Sequence, residues 1–95
     1  MSVEFDHGVL DNAEKLYTAE DMYRLGIEAS TPGEGEDPDL ITAHKWFNLA
    51  ASRGNELARE YRAQLTLEMD SREIAEAQRL ARKWMADNRT LISPL

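Results

Sequence analysis

Apolar residues recur at helical spacing in four stretches of the chain, and this periodicity limits the possible folds more than any other feature. In the second stretch, Ala43, Trp46, Phe47 and Ala50 occupy positions i, i+3, i+4 and i+7, which places them on one face of a helix. No segment alternates apolar and polar residues convincingly, as a half-buried strand does. The sequence therefore predicts an all-α protein with about four helices.

The first helix is predicted to begin after Asp11, which forms a capping-box-like pattern with Glu14. Its apolar positions continue to the loop STPGEGEDPD, whose prolines and glycines cannot continue a helix. Gly26 lies inside this pattern, although glycine costs about 1 kcal/mol relative to alanine in a helix. We therefore expect a neighbouring backbone to approach the first helix closely at Gly26.

Each later helix also follows a residue that favours the N-cap position. Asp39 precedes the second helix, and Asn55 precedes the third directly after Gly54, a residue type common just beyond helix C-termini. This very short link predicts a tight hairpin. Asp70 or Ser71 is predicted to cap the fourth helix.

Length and internal similarity predict a single domain of about two helical hairpins. The chain has 95 residues, which corresponds to one domain, and its second and fourth helices both place alanine ahead of tryptophan. The predicted units are an N-terminal arm over residues 1–10, a first hairpin over 11–54, a second over 55–89 and a tail over 90–95. Stable repeat arrays usually need about three units, so end caps or a homodimer are expected to complete the core.

Charge and composition exclude several classes of function. The formal net charge is −7, which argues against nucleic acid as a partner because nucleic-acid binding needs a basic surface. The chain has no cysteine, which excludes disulfides and thiolate sites and fits the reducing cytoplasm. No stretch approaches the roughly 18 apolar residues of a membrane-spanning helix, and the first ten residues do not resemble a secretory signal.

The stretches MYRLG, PGEGEDPD and AHKWFNLAASRGNELA together resemble the SEL-one-like repeat, a relative of the tetratricopeptide repeat. The similarity covers residues 19–65 and departs from the repeat pattern at Ala29, where an aromatic residue is common. The segment REIAEAQRLARKWM resembles the closing helix of short bacterial relatives. The resemblance implies a short right-handed α/α superhelix that binds other proteins, and it does not imply a catalytic centre.

The first and third helices carry the polar residues that we predict to contact a partner protein, because these helices line the concave side of a solenoid. Glu20, Arg24 and Glu28 share one face, and Glu20 and Arg24 also have the spacing of an ordinary surface ion pair. Arg59 and Arg62 are expected to form a basic patch beside them. The predicted function is a non-catalytic adaptor that binds one protein through this concave face.

The C-terminal tail suggests an alternative function. Leu91, Ile92 and Leu95 are apolar residues in a segment that we expect to be mobile. Such a segment can act as a short motif read by a partner, which would make the chain a regulator or substrate adaptor of a protease or stress-response machine. The simpler interpretation is a frayed chain end.

The aromatic and histidine residues are predicted to be structural. Trp46, Phe47 and Trp84 are expected in the core rather than in a ligand pocket. His44 is placed beside the buried face of its helix, where it could face solvent. No metal-ligand spacing and no nucleophile with a partner base is recognised, so neither a cofactor nor an enzyme activity is predicted.

Overall fold

The computed structural model describes residues 16–93, and the fold over this range is all-helical. The elements are α1 (Ala19–Ser30), α2 (Leu40–Ser52), α3 (Glu56–Thr66), α4 (Ser71–Asp87) and a final 3₁₀ turn (Arg89–Leu91). Within this range the only extended pairing is an isolated parallel β-bridge between Tyr17 and Ile92. The all-α prediction is thus confirmed, and none of the described helices is both long and apolar enough to cross a membrane.

Helix α1 begins later than the sequence predicts. The Asp21 N–H donates to Thr18 Oγ1 at 3.0 Å, and the Thr18 N–H donates to Asp21 Oδ2 at 3.0 Å, so Thr18 is the N-cap. Tyr17 lies outside the helix and pairs instead with the C-terminal segment. The predicted continuous helix is therefore wrong at Tyr17 and Thr18, while Asp11 and the arm over 1–10 lie outside the described residues.

The predicted starts of the other three helices are confirmed. The side chains of Asp39 and Asn55 each accept the backbone N–H three residues further on, at 3.0 and 2.8 Å. Asp70, rather than Ser71, caps α4 through a complete capping box. Gly54 has φ +102° just after α2, a left-handed conformation that favours glycine and lets α3 start almost at once.

Helix α2 forms the centre of the core because α1, α3 and α4 all pack against it. Ala43, Phe47 and Ala50 on α2 are fully buried, and the two alanines let neighbouring helices approach closely. Helices α3 and α4, the predicted second hairpin, make few close approaches to each other and dock separately on α2.

Gly26 of α1 lies directly against the ring of Phe47. A Cβ atom built on Gly26 would be 2.5 Å from Phe47 Cε1, well inside any ordinary contact distance. The sequence predicts a neighbouring backbone at this position, whereas the structure places an aromatic side chain there. The missing side chain of Gly26 is what lets α1 pack against a fully buried phenylalanine.

An aromatic cluster of Tyr17, Trp46 and Trp84 connects residues near the two ends of the described chain. Trp46 and Trp84 meet edge to face at 5.2 Å between ring centroids, and Tyr17 packs on Trp84 at 5.1 Å. Both tryptophans are only half-buried, although they pack against the core as predicted. Lys45 Nζ lies 4.3 Å from the centre of the Trp46 ring and covers part of its exposed face.

The C-terminal segment is docked over its described part. The Tyr17 N–H donates to the Leu91 carbonyl at 2.6 Å, and the Ser93 N–H donates to the Tyr17 carbonyl at 2.9 Å. These bonds pair Tyr17 in parallel with Ile92, which packs against the core. The expectation of a mobile or frayed tail is therefore wrong for residues 91–93.

Candidate functional site

The predicted binding residues of α1 share its outward face. Glu20, Arg24 and Glu28 are all exposed, as the spacing predicts. Arg24 Nη1 contacts Asp21 Oδ1 at 3.3 Å, and not Glu20 as the spacing suggests. Because this pair is partly solvated it adds little stability, and the arginine can exchange its partner for one on another protein.

The predicted basic residues of α3 are engaged elsewhere. Arg59 Nη2 contacts Glu56 Oε1 at 2.7 Å on the same helix. Arg62 is half-buried, and its Nη1 donates to Asn48 Oδ1 of α2 at 2.7 Å. Neither contact reaches the outward residues of α1, so the two predicted groups are not joined by direct interactions within residues 16–93.

Helices α1 and α3 instead meet at a group of aromatic rings. Tyr61 stacks on Phe47 at 5.4 Å between centroids, with 17° between the ring planes. Tyr23 of α1 lies 6.0 Å from Tyr61. Tyr61 is still 39% exposed, and Leu57, one turn earlier on α3, is 52% exposed. Glu20, Tyr23, Leu57 and Tyr61 together are called the α1–α3 surface below.

The hydroxyl of Tyr23 stays protonated in this setting. Partial desolvation raises the pKa of Tyr23 above its ordinary value, and the neighbouring Tyr61 and Glu20 raise it further. A hydrogen bond with Tyr61 is one of the causes of this rise, so the Tyr23 hydroxyl is already engaged within the surface. The α1–α3 surface therefore combines aromatic rings and linked hydroxyls with an exposed carboxylate.

Sequence reasoning found the residues of this surface only in part. Ala58, Tyr61 and Leu65 recur at helical spacing, with Leu57 at the edge, and this pattern predicts that Tyr61 is part of the buried stripe of α3. Leu57 and Tyr61 lie one turn apart on the same side of α3, and this i, i+4 spacing of large apolar residues was the available signal. Whether these two side chains are exposed depends on how much of α3 is covered by α1. The spacing of residues within α3 does not determine this.

His44 is buried, contrary to the expectation that it could face solvent. Only 2% of the residue is exposed, and Nε2 lies 3.3 Å from Thr66 Oγ1 of α3. Nδ1 has no hydrogen-bond partner among the described residues. Burial lowers the pKa of His44 and the positive charge of Arg62 lowers it further, so the imidazole is neutral at physiological pH and acts as a packing element between α2 and α3.

The apolar tail residues differ in availability. Leu91 is 38% exposed, whereas Ile92 is half-buried. The guanidinium of Arg53 donates to the Ser93 carbonyl, which fastens the segment to the end of α2. Leu95 lies outside the described residues.

Potential metal ligands are dispersed over the described residues. Over residues 16–93, no three side chains of histidine, aspartate or glutamate come together in a way that could hold a metal ion. The exposed carboxylates beside arginines form ion pairs along single helices.

Comparison with known proteins assigns no family to this chain. No family model, no curated protein sequence and no solved structure matches it. The SEL-one-like resemblance therefore rests on the residues quoted above and stays a prediction.

Proposed function

We propose that this chain is a non-catalytic interaction module that binds a partner protein across the α1–α3 surface. The observation that carries the proposal is the exposure of Leu57 and Tyr61 one turn apart on α3, with Tyr61 packed beside Tyr23 of α1. Tyrosine is enriched where binding energy concentrates in protein interfaces, because it offers a large ring together with a polar hydroxyl.

The packing beneath the α1–α3 surface orders its side chains, which favours binding. Tyr61 rests on the fully buried ring of Phe47, which restricts its motion before any partner arrives. A side chain that is already ordered loses less conformational entropy on binding. Glu20 supplies a polar edge next to the apolar centre, as the rim of an ordinary protein interface does.

The sequence resemblance supports the same placement. In a SEL-one-like superhelix the helices corresponding to α1 and α3 line the concave side, and the proposed surface lies between these two helices. The superhelical path, the family assignment and a cytoplasmic location are part of this proposal. The cysteine-free composition supports the cytoplasmic location.

Capture of partners by matched variants tests the proposal. The tagged full chain, the double variant Leu57→Ser/Tyr61→Ser and the control Leu67→Ser are each incubated with lysate of the source cells, and bound proteins are identified by mass spectrometry. Leu67 is a suitable control because it is 87% exposed just after α3 and lies outside the proposed surface. Circular dichroism establishes that all three chains are folded.

The wild-type chain and Leu67→Ser are expected to retain the same proteins, which the double variant loses. Equal capture by all three chains would contradict the proposal. Loss of the same proteins with Leu91→Ser, and not with the double variant, would favour the C-terminal segment as the binding element instead.

A further inference from the structure

Helix α4 and the turn after it carry a row of arginine and alanine residues on their outward side. The row, called the arginine stripe below, consists of Arg72, Ala75, Arg79, Arg82, Ala86 and Arg89. Within α4 the steps between successive members alternate between three and four residues, which is the spacing of a heptad face. Arg89 follows in the 3₁₀ turn and borders the same cavity as Arg82. Every member is exposed, so the row forms a surface and not part of the core.

Two cavities lie along the arginine stripe and meet at Arg82. The first, of about 670 Å³, is bounded on one side by Ile41 of α2. The second, of about 360 Å³, lies between the stripe, Met85 and Ile92. Together they form a groove along α4 with arginines on its rim and apolar side chains in its walls.

The acidic residues of α4 are already engaged with other groups. Glu73 completes the capping box at the start of the helix. Glu76 Oε2 contacts Arg79 at 2.7 Å, and the hydrogen bonds from Arg79 hold the pKa of Glu76 below its usual range. Asp87 Oδ2 contacts Lys83 at 2.9 Å. These carboxylates are therefore not available to neutralise the rest of the arginine stripe.

Three guanidinium groups of the stripe are left without a counter-ion. Arg72, Arg82 and Arg89 form no ion pair with any residue in the range 16–93. We propose that the arginine stripe docks an acidic α-helix of a partner protein, with carboxylates at matching heptad positions. Arginine binds carboxylates with two parallel hydrogen bonds, and the intervening alanines leave room for a helix to lie close.

A protein helix fits this groove better than nucleic acid does. The first cavity is also bordered by Asp70, Glu73 and Glu76, which repel a continuous phosphate backbone. A helix places its charges at separate points and can align them with the arginines. The apolar walls at Ile41 and Met85 would receive apolar side chains, which a phosphate backbone does not offer.

The test uses a fluorescent alanine-rich helical peptide with glutamates at i, i+7 and i+10, the spacing of Arg72, Arg79 and Arg82 along α4. A control peptide of identical composition places the glutamates on different sides of the helix. Binding to the full chain is followed by fluorescence anisotropy. The matched peptide is expected to bind at least about tenfold more tightly, and added salt is expected to weaken its binding.

Two variants, each of which removes two positive charges, show where on the chain the peptide binds. Arg82→Gln/Arg89→Gln is expected to remove the preference for the matched peptide, whereas Arg24→Gln/Arg59→Gln, which lies on α1 and α3, retains it. Equal affinity for the two peptides, or an unchanged preference in Arg82→Gln/Arg89→Gln, would overturn the proposal. Equally tight binding of a short DNA duplex would show that the arginine stripe binds polyanions in general, and this would overturn the proposal of an acidic helix. These outcomes do not depend on Leu57 and Tyr61.

Discussion

The contact of Gly26 with Phe47 sets the distance between α1 and α2. An isolated glycine in a helical pattern predicts close packing, and this much follows from the sequence. That the neighbour is a phenylalanine ring, 21 positions away along the chain, depends on how the two helices cross. Local spacing identifies the position under constraint, and tertiary packing determines what occupies it.

Gly26→Ala is expected to lower the free energy of unfolding by up to about 2 kcal/mol. Alanine favours the helix by about 1 kcal/mol, but its Cβ would meet Phe47 Cε1 at 2.5 Å, and overpacking of a core costs about 1–3 kcal/mol. Urea denaturation followed by circular dichroism measures the change. In the double variant with Phe47→Leu, the penalty of Gly26→Ala should shrink, because the ring has been removed. A more stable Gly26→Ala protein would show that the ring moves aside freely.

The burial of His44 couples its protonation to folding. Burial, with Arg62 as the second cause, lowers the pKa of His44 in the folded chain from its ordinary 6.5. The unfolded chain therefore takes up the proton first as pH falls. The stability contributed by neutral His44 is complete above about pH 6.5 and is lost as pH falls from there towards the lowered pKa.

Urea denaturation at about pH 7.5 and about pH 5.5 measures this effect. The wild-type chain is expected to lose more stability between these two conditions than His44→Gln, which has no imidazole to protonate. The amide of glutamine retains a hydrogen-bonding group near Thr66, which makes it a close control. Identical losses in the two chains would show that other groups account for the pH dependence.

At the scale of the elements, the helix boundaries depend mainly on short sequence signals. Asp39, Asn55 and Asp70 act as caps where the sequence predicts them, because each hydrogen bond joins residues three positions apart. The start of α1 carries the same kind of local signal, because Thr18 and Asp21 form a capping box three positions apart. What local spacing does not predict is that Tyr17, which continues the apolar pattern, is held instead by Leu91 and Ser93 at the other end of the described chain.

The residues of the candidate surface also divide into those that local spacing predicts and those that depend on how whole helices pack. The outward position of Glu20, Arg24 and Glu28 follows from the period of α1. The engagement of Arg62 by Asn48 of α2 does not follow from any local pattern, since it needs the angle between α2 and α3. The sequence therefore located the helices that carry the surface, but it did not identify Leu57 and Tyr61 as exposed.

At the scale of the molecule, the pairing of Tyr17 with Ile92 joins the first and last described elements. It brings the start of α1, the end of α4 and the two tryptophans into one aromatic and apolar group. Helix α2 carries the other three helices, and the C-terminal segment closes the arrangement on one side. A fold with such a small core depends on this closure more than a large domain would.

Removal of residues 91–95 is expected to lower the free energy of unfolding by about 2–5 kcal/mol. The truncation deletes two backbone hydrogen bonds to Tyr17, worth about 0.5–1.5 kcal/mol each, and the apolar contacts of half-buried Ile92, worth about 1–2 kcal/mol. Thermal or urea unfolding of the truncated chain measures the loss. Unchanged stability would mean that the segment contributes nothing to the fold.

Site-specific photo-crosslinking tests the proposed function most directly. A benzophenone amino acid replaces Leu57 within the α1–α3 surface or, as a control, Leu67 outside it, and each chain is irradiated in the source cells. Both positions are exposed, so they differ in location and not in access to solvent. A discrete adduct with another protein is expected from position 57 and not from position 67. The absence of an adduct at position 57, or equal adducts at both positions, would contradict partner binding across α1 and α3.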